Sequence, residues 1–298
     1  MAYIRVSDAN EITERYLDSL LFKERLIDSV VADTRMELFG TGFSSPAMMP
    51  AFSHLKEFGG RKLTGLEEYS IAAKNMNILN FVGMMENDMY KRIADTGAKT
   101  VRIVKPYADN IKVRDQMKFA EDHGAFGIGM DIDHIFGNEG LDVVVGELMT
   151  VQTSDMISSY IESTELPFFV KGVLSEAEAV KCADLGAKAL IISHHHGRLP
   201  YAVPPLMVLP SIKKALEGRD VKLIVDCGIS SGADVYKCLA LGADAAAIGR
   251  SMLPALEESG TEGMEKFIAK VNNELRFIMS CTGFETVSRI DDSCIVKT

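Results

Sequence analysis

Gly186-Ala187-Lys188-Ala189-Leu190-Ile191-Ile192-Ser193-His194-His195-His196-Gly197-Arg198 is the stretch whose reading decides the fold. A glycine able to take the left-handed conformation ends a helix, an alanine permits a tight return, and the four apolar residues that follow read as a strand buried on both faces. The same pattern occurs three more times: Gly97-Ala98 before Thr100-Val101-Arg102-Ile103-Val104, Gly124-Ala125 before residues 126–130, and Gly242-Ala243 before residues 245–248. This is the helix-to-strand turn of a parallel sheet. Four further apolar runs fill the remaining slots: Ala47-Met48-Met49, residues 78–82, Phe168-Phe169-Val170 and Leu223-Ile224-Val225. Eight runs, each separated by room for a helix and two loops, predict a (β/α)8 barrel, with a doubly wound open sheet as the competing arrangement. The segment from Glu11 to Val31 reads as helical and precedes the barrel as part of an N-terminal extension, residues 1–35. The segment from Gly263 to Thr282 has the spacing of the last barrel helix.

The chain of 298 residues is expected to form one barrel domain, 1–298, because no low-complexity tract or long Gly/Ser linker interrupts it. A hydrophobic fraction of 47% with 25% charged residues is that of a globular protein, and no run approaches the ~18 apolar residues of a membrane span. The start lacks the basic and apolar regions of a signal peptide, which predicts a cytoplasmic location. Five scattered cysteines without Cys-x-x-Cys spacing read as reduced thiols. A net charge of −10 argues against nonspecific nucleic-acid binding, yet leaves room for a local phosphate site.

In a barrel of this kind chemistry collects where strands stop. The fourth run ends in Asp131-Ile132-Asp133-His134, the fifth in Lys171-Gly172, and the sixth in the histidine run. The seventh ends in Asp226-Cys227-Gly228-Ile229-Ser230-Ser231-Gly232 and the eighth in Gly249-Arg250-Ser251. The last two loops suit a phosphate, because glycines let backbone N–H groups approach an anion and Arg250 adds a charged fork; turn glycines and a serine N-cap are the plainer reading. Three readings of the histidine run stay open: a general base with Arg198 as a carboxylate clamp, ligands of a divalent metal shared with Asp131, Asp133 and His134, or a polar surface loop. Lys171 ends an apolar strand and is expected to serve an anion, a Schiff base or a carboxylate partner. Asp131 either orients a histidine or caps a loop.

Taken in order, Phe169-Val170-Lys171-Gly172-Val173-Leu174-Ser175, the Ser193 to Arg198 run, Asp226 to Val235, Leu239-Ala240-Leu241-Gly242-Ala243-Asp244 and Ile248-Gly249-Arg250 resemble the FMN-dependent α-hydroxy acid oxidase and dehydrogenase family. The likeness is strongest from about Asp155 to Ile278. It continues upstream through Phe39-Gly40, Ser45-Pro46-Ala47-Met48-Met49 and Glu68-Tyr69-Ser70-Ile71-Ala72. The resemblance implies a barrel, FMN, and a homo-oligomer of four or more chains. It makes His195 the catalytic base, Arg198 the carboxylate-binding residue, Asp131 the partner of the histidine and Lys171 the charge beside the flavin. Ser193, Asp226, Cys227, Gly228, Ile229, Ser230, Gly249 and Arg250 fall at flavin or phosphate contacts, and Ala51, Phe52 and Ser53 where the chain passes the flavin ring. Gly83 and Gly129 stand at a flavin-contacting serine and threonine, Arg102 at a flavin-contacting glutamine, and Val104 at a substrate tyrosine. Ser230 replaces a phosphate-binding arginine, and the loop after the fourth strand is shortened and lacks a second substrate arginine.

The implied reaction is oxidation of a small 2-hydroxy acid to the 2-oxo acid, with no metal, nucleic acid or membrane partner and an unspecified electron acceptor. An FMN-dependent isomerase of the type 2 isopentenyl diphosphate isomerase kind, a metal-dependent hydrolase on a similar barrel, and a noncatalytic flavin-binding sensor are the alternatives.

Overall fold

The apolar runs become eight parallel strands in a computed structural model that describes residues 8–298. They are β1 (Ala47–Met48), β2 (Asn80–Val82), β3 (Thr100–Val104), β4 (Gly127–Asp131), β5 (Phe168–Val173), β6 (Ala189–Ile192), β7 (Lys222–Val225) and β8 (Ala245–Ala247). Hydrogen bonding runs β1-β8-β7-β6-β5-β4-β3-β2. The ring closes between β2 and the end of β1: Met49 N–H donates to the Leu79 carbonyl at 3.0 Å, and Gly83 N–H to that of Phe52 at 2.8 Å. A sheet closed on itself has no edge strand, which rules out the open doubly wound arrangement.

Helix α1 (Ala9–Asp18) precedes the barrel. Helices α2 (Gly65–Asn75), α3 (Asn87–Asp95), α4 (Asn110–Asp122), α5 (Ser154–Ile161), α6 (Glu176–Asp184), α7 (Pro205–Ala215), α8 (Gly232–Ala240) and α9 (Leu253–Cys281) each follow one strand. Inside the barrel, Phe81, Val101, Ile103, Phe169, Ile191 and Ile224 pack on one another. Gly127 and Gly129 make room for them: a Cβ on Gly129 would lie 2.6 Å from Ile103 Cδ1 and from the Phe169 carbonyl oxygen. A hairpin of Met36–Leu38 and Thr41–Phe43 plugs the N-terminal end, with Phe39 edge-on to Phe169 at 5.9 Å.

Three local expectations change. The helical reading of residues 11–31 holds only to Asp18, because Leu20–Phe22 instead pairs antiparallel with Ile295–Lys297 at the other end of the chain. Residues 1–7 of the expected extension lie outside the described residues. Strand β5 runs on through Lys171, Gly172 and Val173, and its pairing with β6 shifts register between Lys171 and Val173. The last helix begins at Leu253 and breaks at Gly260, whose φ of 56° and ψ of −133° are not helical. No helix among the described residues is long and apolar enough to cross a membrane.

Candidate active site

The three adjacent histidines do three different jobs, because the chain turns sharply after β6. His195 and His196 both take positive φ, 48° and 56°. Ser193 Oγ fixes the turn by accepting the His195 N–H at 3.0 Å. His194 is buried; its Nδ1 accepts the Gly197 N–H at 2.9 Å and its Nε2 meets Thr13 Oγ1 on α1 at 2.9 Å. It therefore ties the extension to the barrel. His196 and His195 line the cleft at the C-terminal end of the strands.

His195 is anchored by two carboxylates. Its Nδ1 lies 2.5 Å from Asp133 Oδ1 and 3.3 Å from Asp131 Oδ1. Asp131, the partner expected from the resemblance, is engaged more closely by Lys105, whose Nζ is 2.5 Å from Oδ2; Lys171 Nζ stands 3.6 Å from its Oδ1 and 3.7 Å from Asp133 Oδ2. Asp133 gets this close because residue 172 is glycine: a Cβ there would be 2.5 Å from Asp133 Cβ, and its φ of +100° suits glycine.

Burial opposes ionisation of Asp131, but Lys171, Lys105 and His195 overcome it and hold its carboxyl well below the usual range. Asp133 is pushed up to about 6 by burial, with the Asp131 charge adding to the rise and Lys171 opposing it. For His195, burial and Lys171 favour the neutral ring, yet the two carboxylates prevail and its pKa is raised. Lys171 is likewise raised, since Asp131, Asp133 and Asp226 outweigh its burial. Burial, helped by Lys105, drives His134 down to about 4, so this ring is neutral near pH 7.

The structure corrects the reading of β3. Every residue of this strand is buried, but Val101 and Ile103 face the barrel interior, whereas Arg102 and Val104 face the helices. Arg102 donates to Asn87 Oδ1 at 2.7 Å and to the carbonyls of Gln116 and Met85 at 3.0 and 2.9 Å, and it covers the Tyr90 ring at 4.7 Å. It braces α3 and α4 and is no part of the cofactor site. The next inward position after Ile103 is Lys105, which sequence reasoning missed together with Asp133 as the closer histidine partner. Counting by twos from Val101 would have found Lys105.

Gly83 and Ser53 also act within the scaffold. The Ser53 hydroxyl fills the space of a residue-83 side chain, 2.4 Å from where a Cβ would be, and accepts the Met84 N–H at 2.8 Å. Apart from Ser193, which is buried behind the His195 turn, the other expected cofactor residues converge on one cleft of about 330 Å³: Ala51 and Phe52, Lys171, the run from Asp226 to Ser230, and Gly249 with Arg250. Asn10 and Glu14 of α1 line it as well, and sequence reasoning missed both. Gly228 lies under α1, where a Cβ would come within 2.9 Å of Leu17 and Thr13. Burial, then Asp226, pushes the Cys227 thiol up to about 12, so it stays protonated.

Ser231 is the N-cap of α8, and Ser230 gives both its N–H and its hydroxyl to Asp234. These groups are thereby committed to the helix start. Among the described residues, the main-chain N–H groups of Cys227, Gly228, Ile229, Arg250 and Ser251 meet no protein acceptor. Together with Arg250 they suit a phosphate, while the apolar wall of Ala51 and Phe52 suits a flat ring and Lys171 an anionic edge. The donor set fits FMN. Asp131, His134 and His195 could also present one ligand atom each to a metal within 4.8 Å of one another. Two ammonium groups already neutralise Asp131, which makes that position a poor seat for a further cation.

Fold and site define a barrel whose C-terminal cleft joins a carboxylate-anchored histidine and a buried lysine to an anion-binding rim. The FMN-dependent dehydrogenase family matches residues 137–297, more than half of the sequence, and the chain belongs to that family. It is 34% identical to the L-lactate oxidase of Lactobacillus jensenii over 168 residues, 56% of this chain and 39% of that protein. To the 2-hydroxyacid oxidase of Dictyostelium discoideum it is 41% identical over 133 residues, 44% of this chain and 34% of that protein. These matches span less than two-fifths of the relatives' own length. A mandelate oxidase structure holding an FMN monooxide adduct aligns over 97% of this chain and 92% of its own, with a TM-score of 0.86 and 25% identity.

Proposed function

We propose that the chain oxidises a small 2-hydroxy acid to the 2-oxo acid, His195 acting as base and Arg198 as the carboxylate-binding residue. The observation that carries this reading is the position of His195: it lines the cleft that fits FMN while Asp133 and Asp131 hold its Nδ1, which leaves Nε2 as the free nitrogen. FMN, held by the Asp226 to Ser230 run, Arg250 and Lys171, would supply the two-electron acceptor for the C2 hydrogen. His195 Nε2 receives the hydroxyl proton as the C=O bond forms, and Asp133 and Asp131 stabilise the imidazolium that results. Lys171 remains charged and favours the negative charge that arrives on the cofactor. The resemblance supports a homo-oligomer, which sedimentation would test, and the free cysteines suit a cytoplasmic location, which fractionation of the source cells would test.

The experiment is reconstitution with FMN followed by anaerobic addition of glycolate, lactate and larger 2-hydroxy acids, with assay of the 2-oxo acid. Stoichiometric 2-oxo acid is the expected result. Bound FMN that no 2-hydroxy acid reduces would overturn the reading and favour a reaction of the isomerase type.

A further inference from the structure

The loop after β4 puts a carboxylate of the chain itself on Arg198. Its two short hairpins, Phe136–Gly137 with Gly140–Leu141 and Val143–Val144 with Glu147–Leu148, meet at Asp142. The backbone holds that residue on both sides: its N–H donates to the Ile135 carbonyl and its own carbonyl accepts the Met149 N–H, both at 2.8 Å. Arg198 Nη2 donates to Asp142 Oδ2 at 2.7 Å and to the Phe136 carbonyl at 2.6 Å. His134 Nε2 approaches the same carboxylate oxygen at 3.1 Å, and the His134 ring lies edge-on to His195 with centroids 5.0 Å apart. Asp142 is thus part of the reaction end of the site, not a remote surface pair.

We infer that Asp142 is an internal carboxylate that holds Nη2 of Arg198, so that an acid seeking the two-pronged grip of the guanidinium competes with it for that nitrogen and for the charge. The inference rests on the proposed function for the role of Arg198, and it makes Asp142 a specificity-determining residue. Displacement is physically accessible, because the hairpins bury little: Phe136, Val143 and Val145 are 63%, 59% and 74% exposed. A tethered carboxylate competes as if present at millimolar concentration. Acids that bind through one weak carboxylate contact are therefore excluded, and those making further contacts in the cleft are selected.

The test titrates FMN-loaded wild type and Asp142→Asn with oxalate, followed by flavin absorbance. Asparagine keeps the size and an acceptor oxygen while removing the charge. Oxalate should bind about tenfold tighter to Asp142→Asn, and adding Arg198→Ala should abolish the gain. Unchanged or weaker binding in Asp142→Asn, or a gain that survives Arg198→Ala, would overturn the inference, as would failure of oxalate to bind either protein. Tighter oxalate with no 2-hydroxy acid ever reducing the flavin would support the inference and overturn the oxidase reading. Reduction by a 2-hydroxy acid with equal oxalate affinity would do the reverse.

Discussion

At the end of the cleft built by β7 and β8, Arg250 makes no ion pair among the described residues and several N–H groups lack protein acceptors. At the end built by β3 to β6, Lys105, Lys171 and Arg198 are all matched to carboxylates of the chain. The first end suits a permanent anionic guest, whose phosphate supplies the missing charge. The second is pre-balanced, so that an imidazolium formed on His195 lies against carboxylates that stabilise it, and an incoming acid must compete with Asp142 for Arg198.

Removing His195 should break the second end most severely. His195→Ala is expected to slow reduction of bound FMN by about 10²- to 10⁴-fold, the usual worth of a positioned base, measured by anaerobic stopped flow. Lys171→Met leaves Asp131 and Asp133 facing each other with one fewer cation. It should lower stability by about 3–5 kcal/mol, read from denaturant unfolding. Arg102→Met leaves the Asn87, Gln116 and Met85 oxygens without their donor and should also cost stability, about 3 kcal/mol, while FMN affinity stays unchanged. Weaker FMN binding in that variant would restore Arg102 to the cofactor site.

At the open end, Arg250→Ala should weaken FMN binding by about ten- to a hundredfold, the worth of a charge-assisted hydrogen bond. The pH dependence is the finest probe. The base must be neutral, and the His195 pKa is raised above its ordinary 6.5. kcat/KM should therefore fall as pH drops through a midpoint above 6.5, and fall further near 6 as Asp133 takes up a proton. A midpoint below 6.5 would mean that the carboxylates do not charge-stabilise this ring.

The barrel was legible because its strands announce themselves locally, as apolar runs behind Gly-Ala helix stops. That Asp226 to Ser230 and Gly249-Arg250 meet at one cleft was legible for a similar reason, since both are contiguous pieces at strand ends. The direction of β3 was not. With Val101, Arg102, Ile103 and Val104 all buried, the strand has no polar face to mark which residues look inward. Nor does local sequence show that Leu20–Phe22 finds its partner at the C-terminus, or that Asp142 lies on Arg198, 56 positions away. Asp133 was visible only as a possible metal ligand. Its nearness to His195 depends on Gly172 of the neighbouring strand, a contact made only in the folded barrel.

The most direct measurement is the visible spectrum of FMN-loaded wild type and His195→Ala, each mixed anaerobically with the same 2-hydroxy acid. Both proteins should bind FMN, the wild-type flavin bands should bleach and those of the variant should persist. Bands that bleach equally fast in both, or that never bleach in the wild type, would contradict the proposed oxidation with His195 as base.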